Sequence, residues 1–232
     1  MAGKGTFIRL NYTGKEKESG QIFDTTIESV AHESGVPHHH GTMKPIVICL
    51  GEGHVLPGLD VKLEGLGIGK HTIELKAEEA FGKKDAKLMR LIPTKLFHKE
   101  QINPMPGLPV TVDDKQGVIR AASGGRVIVD FNHPLAGQDV IYEVEILEEV
   151  HDKKEQVEAI LHIRQLPFSA VVVHENKAEI TLQFPLPKEI ADALESDIRN
   201  AAKLSEVKFS EEKKDAKAGA PEVKESKAEK KE

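Results

Sequence analysis

Glycines and one short helical pattern restrict the fold of this chain most strongly, in residues 49–70, CLGEGHVLPGLDVKLEGLGIGK. Between the glycines, Val55, Leu59, Leu63 and Leu66 follow the spacing of one face of an α-helix. Because glycine allows the chain to reverse sharply, the pattern predicts a strand, a turn, a short amphipathic helix, a second turn and another strand.

The same glycines invite comparison with a phosphate-binding loop, but their spacing argues against one. In such a loop, Lys and then Ser or Thr follow the last glycine, so that backbone N–H groups and both side chains converge on the anion. Here Lys70 is followed by His71, and Glu64 occupies the place of the first glycine, where its charge would repel a phosphate. The glycines are therefore assigned to turns.

Strand patterns occupy the first two thirds of the chain, and a different order follows. Alternating or β-branched runs predict strands at 6–12, 44–50, 71–77, 127–131 and 140–147. The last third predicts an αββαβ unit: a helix starting at a capping box formed by Asp152 and Glu155, a hairpin of 168–173 and 178–184, a helix from 187 to about 203, and a strand at 207–209. A unit this small is marginal alone, so we expect it to pack on a second copy or on the preceding domain.

Charge and cysteine content narrow the classes of function. Lys and Arg number 32 against 38 Asp and Glu, a formal net charge of -6, which does not favour binding to nucleic acid or to an anionic membrane. The single cysteine, Cys49, lies in an apolar run and has no disulfide partner, which fits a reducing compartment. No stretch has the length of a signal peptide or of a membrane span, so we expect a cytoplasmic protein.

Two further segments are predicted to have no catalytic or metal-binding role. Residues 210–232 are mostly Lys, Glu and Ala, which cannot bury enough apolar surface to order the chain, and we expect a disordered tail. The run His38, His39 and His40 is a weak candidate for metal binding. Three consecutive histidines cannot all reach one ion without strain, and neighbouring Gly and Pro favour an exposed loop, so no metal site is predicted.

Five short motifs, taken in chain order, carry a family resemblance: LNYTG at 10–14, IFDTT at 22–26, VLPGL at 55–59, EAFG at 79–82 and YEVE at 142–145. In this order they resemble the FK506-binding prolyl isomerases (FKBPs). A stretch of about 50 residues follows the fourth motif and ends in DFNHPLAG at 130–137, which resembles the SlyD-type branch with its insert-in-flap chaperone domain. The C-terminal unit is similar to that of the long archaeal members.

The resemblance implies an α+β fold, with an FKBP-type twisted antiparallel sheet around a short helix. It implies four segments: an isomerase domain at 1–85 and 138–150, a small β-rich insert domain at 86–137, a C-terminal α/β domain at 151–209 that is a candidate for dimerisation, and the tail.

The resemblance also implies an apolar site between helix and sheet. Leu59 would form its floor, the backbone N–H of Leu56 would hold a substrate carbonyl, and Asp24 would face the twisting bond or act only as a buried acid paired with Tyr12. The full set of implied site residues is Tyr12, Phe23, Asp24, Ile46, Val55, Leu56, Leu59, Phe81 and Tyr142. Taken singly, each apolar member is more simply ordinary core.

The activity implied is peptidyl-prolyl cis-trans isomerisation, which needs no cofactor. A water-excluding pocket is enough, because the planar amide is more charge-separated than the twisted one; His133, Ser123 and Asp130 are accordingly assigned to turns and to the insert motif. Phe81 stands where relatives commonly have Tyr, which removes a hydroxyl from the site. The competing hypothesis is a binding-only chaperone without turnover.

The insert is rich in apolar residues that a domain of its size cannot hide completely. Exposed Met and Leu adapt to many extended chains, so the expected partners are unfolded or proline-containing polypeptides. The predicted client-binding residues are Leu88, Met89, Leu91, Ile92, Leu96, Phe97, Met105 and Leu108. The alternative is that these residues form only the core of the insert itself.

Overall fold

The computed structural model of the protein describes residues 2–36 and 44–211. The predicted loop at His38–His40 lies outside these residues, as does the predicted tail, 210–232, except for residues 210 and 211, which belong to the last strand rather than to a tail. The strands are β1 (Phe7–Glu16), β2 (Ile22–Thr25), β3 (Ile46–Cys49), β4 (Gly69–Leu75), β5 (Met89–Pro93), β6 (Pro109–Val112), β7 (Lys115–Ser123), β8 (Arg126–Asp130), β9 (Val140–Glu149), β10 (Phe168–His174), β11 (Lys177–Leu182) and β12 (Glu206–Glu211). The helices are α1 (Glu28–Ser34), α2 (Pro57–Leu63), α3 (Thr94–Lys99), α4 (Lys153–Ile163) and α5 (Lys188–Ala201).

The first sheet is antiparallel and is built around the long strand β1. Its order is β2-β1-β9-β4. Strand β3 pairs with the first half of β1, on the same edge at which β2 pairs with the second half. The helix predicted between the glycines is α2, and its buried Leu59 and Leu63 pack on this sheet. The α+β prediction, a twisted antiparallel sheet around a short helix, is confirmed.

Successive residues of β1 and β3 point into two different cores, as the period of two in a strand requires. Ile8 and Ile48 face the core that contains α2, whereas Phe7 and Cys49 belong to a second core that contains α4. Both faces of β3 are therefore covered. This explains why the sequence there, Ile46–Cys49, is an unbroken apolar run without polar residues.

A second, four-stranded antiparallel sheet, in the order β5-β8-β7-β6, follows β4 and precedes β9. With α3 it encloses its own small core, whose buried members are Ile92, Phe97, Val110, Ile119, Val127 and Val129. The two chain segments that lead into and out of this sheet are hydrogen-bonded to each other: Gly137 N–H donates to Gly82 O at 2.7 Å, and Asn132 Oδ1 accepts from Asp85 N–H at 2.8 Å. We call the segments 82–85 and 132–137 the stem.

The C-terminal elements follow the predicted αββαβ order. Strands β10 and β11 form an antiparallel hairpin, and β12 adds to β11 in parallel after the α5 crossover. Val157, Ile160 and Leu161 of α4 share one core with Phe7 and Cys49 of the first sheet. The sequence left open whether this unit packs on a second copy or on the preceding domain. The structure shows it packed on the preceding domain.

The predicted capping box at the start of α4 is only half present. Asp152 caps the helix by accepting from Lys154 N–H at 3.2 Å. Glu155 does not reach back to the cap; it pairs with Arg9 on β1, and Glu148 pairs with the same guanidinium at 2.7 Å. Glu155 thus ties the C-terminal unit to the first sheet, an interaction between residues far apart in sequence.

Helices α1 and α3 have no counterpart in the sequence predictions, since neither has a long apolar periodicity. No helix in the described ranges is long and apolar enough to cross a membrane. Within the same ranges, His, Cys, Asp and Glu side chains form no group suited to hold a metal ion.

The shared core predicts that α4 stabilises the protein as a whole. Ile160 is 2% exposed, so Ile160→Ala should lower the free energy of unfolding by about 2–5 kcal/mol through lost burial and an unfilled cavity. Ile68→Ala is the matched control, because Ile68 is 68% exposed and its truncation should change stability by less than about 0.5 kcal/mol. Urea unfolding followed by circular dichroism measures both. Equal stability of the two variants would contradict the shared core.

Candidate active site

Eight of the nine residues predicted for the site belong to, or pack against, the core between α2 and the first sheet. Leu59 and Tyr142 are buried in the α2-side core, and the other six apolar members pack against it while keeping part of their surface exposed. Those six are Tyr12, Phe23, Ile46, Val55, Leu56 and Phe81. The ninth, Asp24, joins the group through Tyr12. We call this set the aromatic cluster.

Phe23 lies at the centre of the rings. Its ring meets Phe81 edge-on at 5.6 Å between centroids and Tyr142 edge-on at 5.8 Å, and Tyr12 lies 5.9 Å from Tyr142. These separations and tilts are those that aromatic pairs prefer. The exposed parts of Phe23 and Phe81 therefore form an ordered apolar surface.

Gly14 on β1 makes room for two of these rings. It pairs with Asp24 on β2 and with Tyr142 on β9, so it lies directly beneath the cluster. A Cβ at this position would come within 2.7 Å of the Phe23 ring and 3.0 Å of the Tyr142 ring. The LNYTG motif thus ends in glycine because any side chain would displace the rings.

The only carboxylate of the predicted set is held by a tyrosine hydroxyl. Tyr12 Oη donates to Asp24 Oδ2 at 2.7 Å, as expected from the resemblance. Burial, together with the nearby charge of Asp24, raises the pKa of Tyr12 well above its usual value, so Tyr12 stays protonated and remains a donor. Asp24 itself is only partly buried, which leaves its second oxygen available to other groups.

The turn before α2 is fixed by two side chains that the sequence predictions missed. The buried carboxylate of Asp60 accepts from Gly51 N–H at 2.9 Å and from Gly53 N–H at 3.2 Å. His54 Nδ1 accepts from Cys49 N–H at 2.9 Å, which requires an unprotonated nitrogen, and burial lowers the pKa of His54 in the same direction. The turn that carries Val55 and Leu56 into the cluster is therefore held at both ends.

The backbone of Leu56 is oriented by the start of α2. Its carbonyl accepts from Asp60 N–H at 2.9 Å, while its own N–H donates no backbone hydrogen bond within the described chain. Pro57 follows at the first helical position, where its missing N–H costs nothing. A free N–H beside the apolar surface is the donor that the resemblance requires.

A histidine assigned to a turn from the sequence lies on the cluster. The His133 ring stacks on Phe81, with 4.7 Å between the centroids and 3° between the planes. His133 belongs to the stem, so no local pattern in the sequence could place it beside Phe81. The motif residue Asn132 next to it was the available signal.

Two open depressions beside α2, of about 490 and 340 Å³, do not include any of the nine residues. Their linings contain charged side chains, among them Lys62, Lys70 and Glu79. A charged, open lining suits neither an apolar proline ring nor exclusion of water. The aromatic cluster remains the candidate site.

The predicted client-binding residues separate into two groups. Five are exposed by 41 to 56%: Leu88, Met89, Leu91, Leu96 and Met105. We call these five the insert patch. Ile92 and Phe97 are 7% and 4% exposed and belong to the core of the second sheet, so their assignment to client binding is corrected; Leu108 is partly buried against the same core.

Comparisons with known proteins point to the family that the sequence motifs resemble. Residues 90–135 match a family model described as FKBP26, IF domain. The short-type peptidyl-prolyl cis-trans isomerase of Methanocaldococcus jannaschii is 26% identical over 144 residues, covering 62% of this chain and 90% of that protein. The N-terminal domain of FKBP42 from Arabidopsis thaliana, a solved structure, has a TM-score of 0.34 and 18% identity over 64% of this chain and 76% of that one, a likeness too low to carry weight.

The FKBP-type 16 kDa peptidyl-prolyl cis-trans isomerase of Escherichia coli K12 is 37% identical over 111 residues, which cover 45% of this chain and 74% of that protein. Identity at this level over most of a relative's length identifies the family. The chain belongs to the FKBP-type peptidyl-prolyl cis-trans isomerases.

Proposed function

We propose that the aromatic cluster is the site at which this isomerase rotates X-Pro bonds, and that the insert patch holds unfolded polypeptides nearby. The observation that carries the first part is the arrangement around Phe23. The Phe23 ring packs edge-on against Phe81 and Tyr142, and partly exposed apolar residues of β1, β3 and the turn before α2 pack against the same core. The substrates are proline-containing polypeptides.

The chemistry requires an environment more than a reactive group. Rotation about an X-Pro bond costs nearly the full amide barrier of about 18–20 kcal/mol, because resonance across C–N is lost at the twisted geometry. The planar amide is more charge-separated, so water stabilises it more than the transition state. An apolar surface that lowers the barrier by roughly 4 kcal/mol accelerates exchange about a thousandfold.

Each part of the cluster has a proposed role. Leu59 forms the floor for the proline ring, with Phe23, Ile46, Val55 and Tyr142 as its walls. The free N–H of Leu56 donates to a substrate carbonyl, which fixes the bond relative to the apolar surface. Fixing both ends of a rotating bond in this way supplies part of the rate enhancement through orientation.

Asp24 is proposed to face the twisting amide. Its Oδ2 is held by Tyr12, which orients the carboxylate, and Asp24 is only partly buried. The other oxygen is the one proposed to face the substrate. A fixed negative charge favours the electron-poor carbonyl carbon of the twisted state. The alternative, that Tyr12 and Asp24 only satisfy each other, predicts the same contact but no effect of Asp24 on turnover.

Removal of the central ring tests the site. Phe23→Ala should lower kcat/KM in a proline-limited refolding assay by roughly 10- to 100-fold, the equivalent of losing about 1.5–3 kcal/mol of apolar contact. Asp24→Asn should lower kcat with little change in stability. Val61→Ala is the control, since Val61 is 70% exposed on α2.

Full activity of Phe23→Ala would place turnover elsewhere. A wild-type protein that suppresses aggregation but does not accelerate refolding would favour the binding-only chaperone.

The insert domain, for which we take the bounds 86–137, is proposed to capture clients. Its patch combines flexible Met with Leu on the edge strand β5, on α3 and in the connection to β6. The stem places this domain next to Phe81, so a captured chain presents its X-Pro bonds at high local concentration.

Polar replacement of the patch separates capture from chemistry. The triple variant Leu91→Ser, Leu96→Ser and Met105→Ser should leave kcat/KM on a short X-Pro peptide within twofold of wild type. It should lose most of the acceleration on an unfolded protein and most of the suppression of aggregation, because only the long client needs the patch. Val61→Ser with Ile68→Ser controls for lost exposed apolar surface. If the triple variant lost as much activity on the short peptide as on the unfolded protein, client capture and isomerisation would not be separate roles of the patch and the cluster.

We also propose that the C-terminal unit, 151–209, forms a homodimer. One face packs on the first sheet, yet Val172, Phe184 and Ile190 remain 42 to 53% exposed on the other elements of this small unit. A second copy is the partner that would cover them. A cytoplasmic location, and the absence of nucleic-acid and membrane partners, stay predictions from composition.

Sedimentation equilibrium tests the dimer. The wild-type chain should have twice its sequence mass at micromolar concentration, and Val172→Asp with Ile190→Asp should return it to the monomer, because a charge in an apolar interface is costly. Ile68→Asp serves as the control and should remain dimeric. A monomeric wild type would exclude the dimer.

A further inference from the structure

His54 joins the turn before α2 to the end of β3. It lies one residue before Val55, and its ring is partly buried. Its Nδ1 accepts from the N–H of Cys49, the last residue of β3, at 2.9 Å. The ring therefore anchors the turn to the first sheet, from a position outside the nine residues of the aromatic cluster.

The bond from Cys49 fixes the protonation state of this ring. A backbone N–H can only donate, so Nδ1 of His54 must offer a lone pair, and the neutral ring then carries its proton on Nε2. A protonated imidazole donates from both nitrogens. Proton uptake would leave the N–H of Cys49, a fully buried residue, facing a second donor and without an acceptor, which is costly. The contact therefore exists only while His54 is neutral.

Charged groups from three segments act on the ring. Glu52 on the turn and Asp60 on α2 favour its protonation, whereas Arg164 at the end of α4 opposes it. On β3, burial raises the pKa of the Cys49 thiol to about 12, so that group stays uncharged. Burial has the largest effect on His54 and lowers its pKa below the ordinary value. The folded protein thus takes up this proton at lower pH than the unfolded chain does, and the contact is lost as pH falls through the lowered pKa.

The turn that His54 anchors also sets the direction of the Leu56 N–H. This N–H belongs to the peptide group between Val55 and Leu56, directly after His54. On the α2 side, Leu56 O accepts from Asp60 N–H at 2.9 Å. On the β3 side, the bond between Cys49 and His54 is the corresponding anchor. Loss of that anchor frees the peptide group to rotate, and a hydrogen bond weakens steeply as its donor turns away from the acceptor.

We propose that His54 is a positioning residue for this isomerase: its neutral ring holds the turn so that the Leu56 N–H is aimed at a substrate carbonyl, and proton uptake by the ring releases the turn and lowers turnover. This inference rests on the proposed role of Leu56 at the aromatic cluster. Acid sensitivity of the activity then comes from a side chain that does not itself touch the substrate.

Asparagine separates the acceptor from the titrating group. Histidine changes its charge between about pH 5 and pH 8, so wild-type kcat/KM on a short X-Pro peptide should fall at least about threefold over that range, through a rise in KM. His54→Asn offers Oδ1 in place of Nδ1 and does not titrate, so it should stay within about twofold of wild type at the upper pH and lose the fall. His54→Ala lacks the acceptor and should have a raised KM at every pH. Exchange between cis and trans peptide signals in nuclear magnetic resonance spectra measures turnover without a protease.

His71→Asn is the matched control. His71 is a histidine of β4 whose Nε2 donates to Gly67 O at 2.8 Å, at the other end of α2. This variant should keep the wild-type pH profile. A wild-type profile that is flat, or an acid fall that survives in His54→Asn, would assign any acid sensitivity to another group such as Asp24 and overturn the inference.

A titration of the wild-type protein that needs no turnover completes the test. Over the same pH range, the backbone amide signal of Leu56 should shift with the midpoint of the His54 ring signals, and in His54→Asn it should not shift. A Leu56 signal that does not follow the ring would overturn the inference. Absence of wild-type turnover at every pH, with Leu56 still following His54, would overturn isomerisation at the cluster while supporting control of the turn by His54.

Discussion

The alternation of side chains along β1 and β3 holds the molecule together. Even-numbered residues, such as Ile8 and Ile48, fill the core beneath α2, and odd-numbered ones, such as Phe7 and Cys49, fill the core beneath α4. One pair of strands thus forms the floor of two cores. Burial on the second side is complete enough to raise the pKa of the Cys49 thiol to about 12, far above its usual range.

The aromatic cluster, the proposed site, continues the same pattern. Further along β1, the even-numbered face carries Leu10 into the core, then Tyr12 into the cluster, and ends at Gly14 beneath the rings. Core and site are therefore one apolar surface that opens toward solvent at one end of the sheet. No separate element is needed to position Tyr12, because β1, the strand that contributes to the core, also directs Tyr12 toward Asp24.

Much of this could be predicted from the sequence, where the signals are local. The helical spacing of Leu59 and Leu63 gave α2, and the ordered motifs gave eight residues that belong to or pack against the core beneath it, with Asp24 joined to them through Tyr12. The contacts that were missed join residues far apart in sequence. Glu155 was predicted to complete a helix cap but pairs with Arg9 of β1, and His133 stacks on Phe81 because the stem brings the two together. In β5, alternation places Ile92 inside and Leu91 outside, but composition alone does not say which side the small sheet covers.

The stem also bears on how the chain reaches this fold. Strand β4 pairs along its full length with residues 140–146 of β9, although the whole second sheet separates the two strands in sequence. Closing a long flexible segment costs entropy that grows with its length. Once the second sheet has formed, however, the bond between Gly137 and Gly82 brings the ends of the intervening segment side by side. The entropic cost of pairing β4 with β9 is then close to that of two strands joined by a tight connection, so a domain can interrupt this sheet at little cost to its stability.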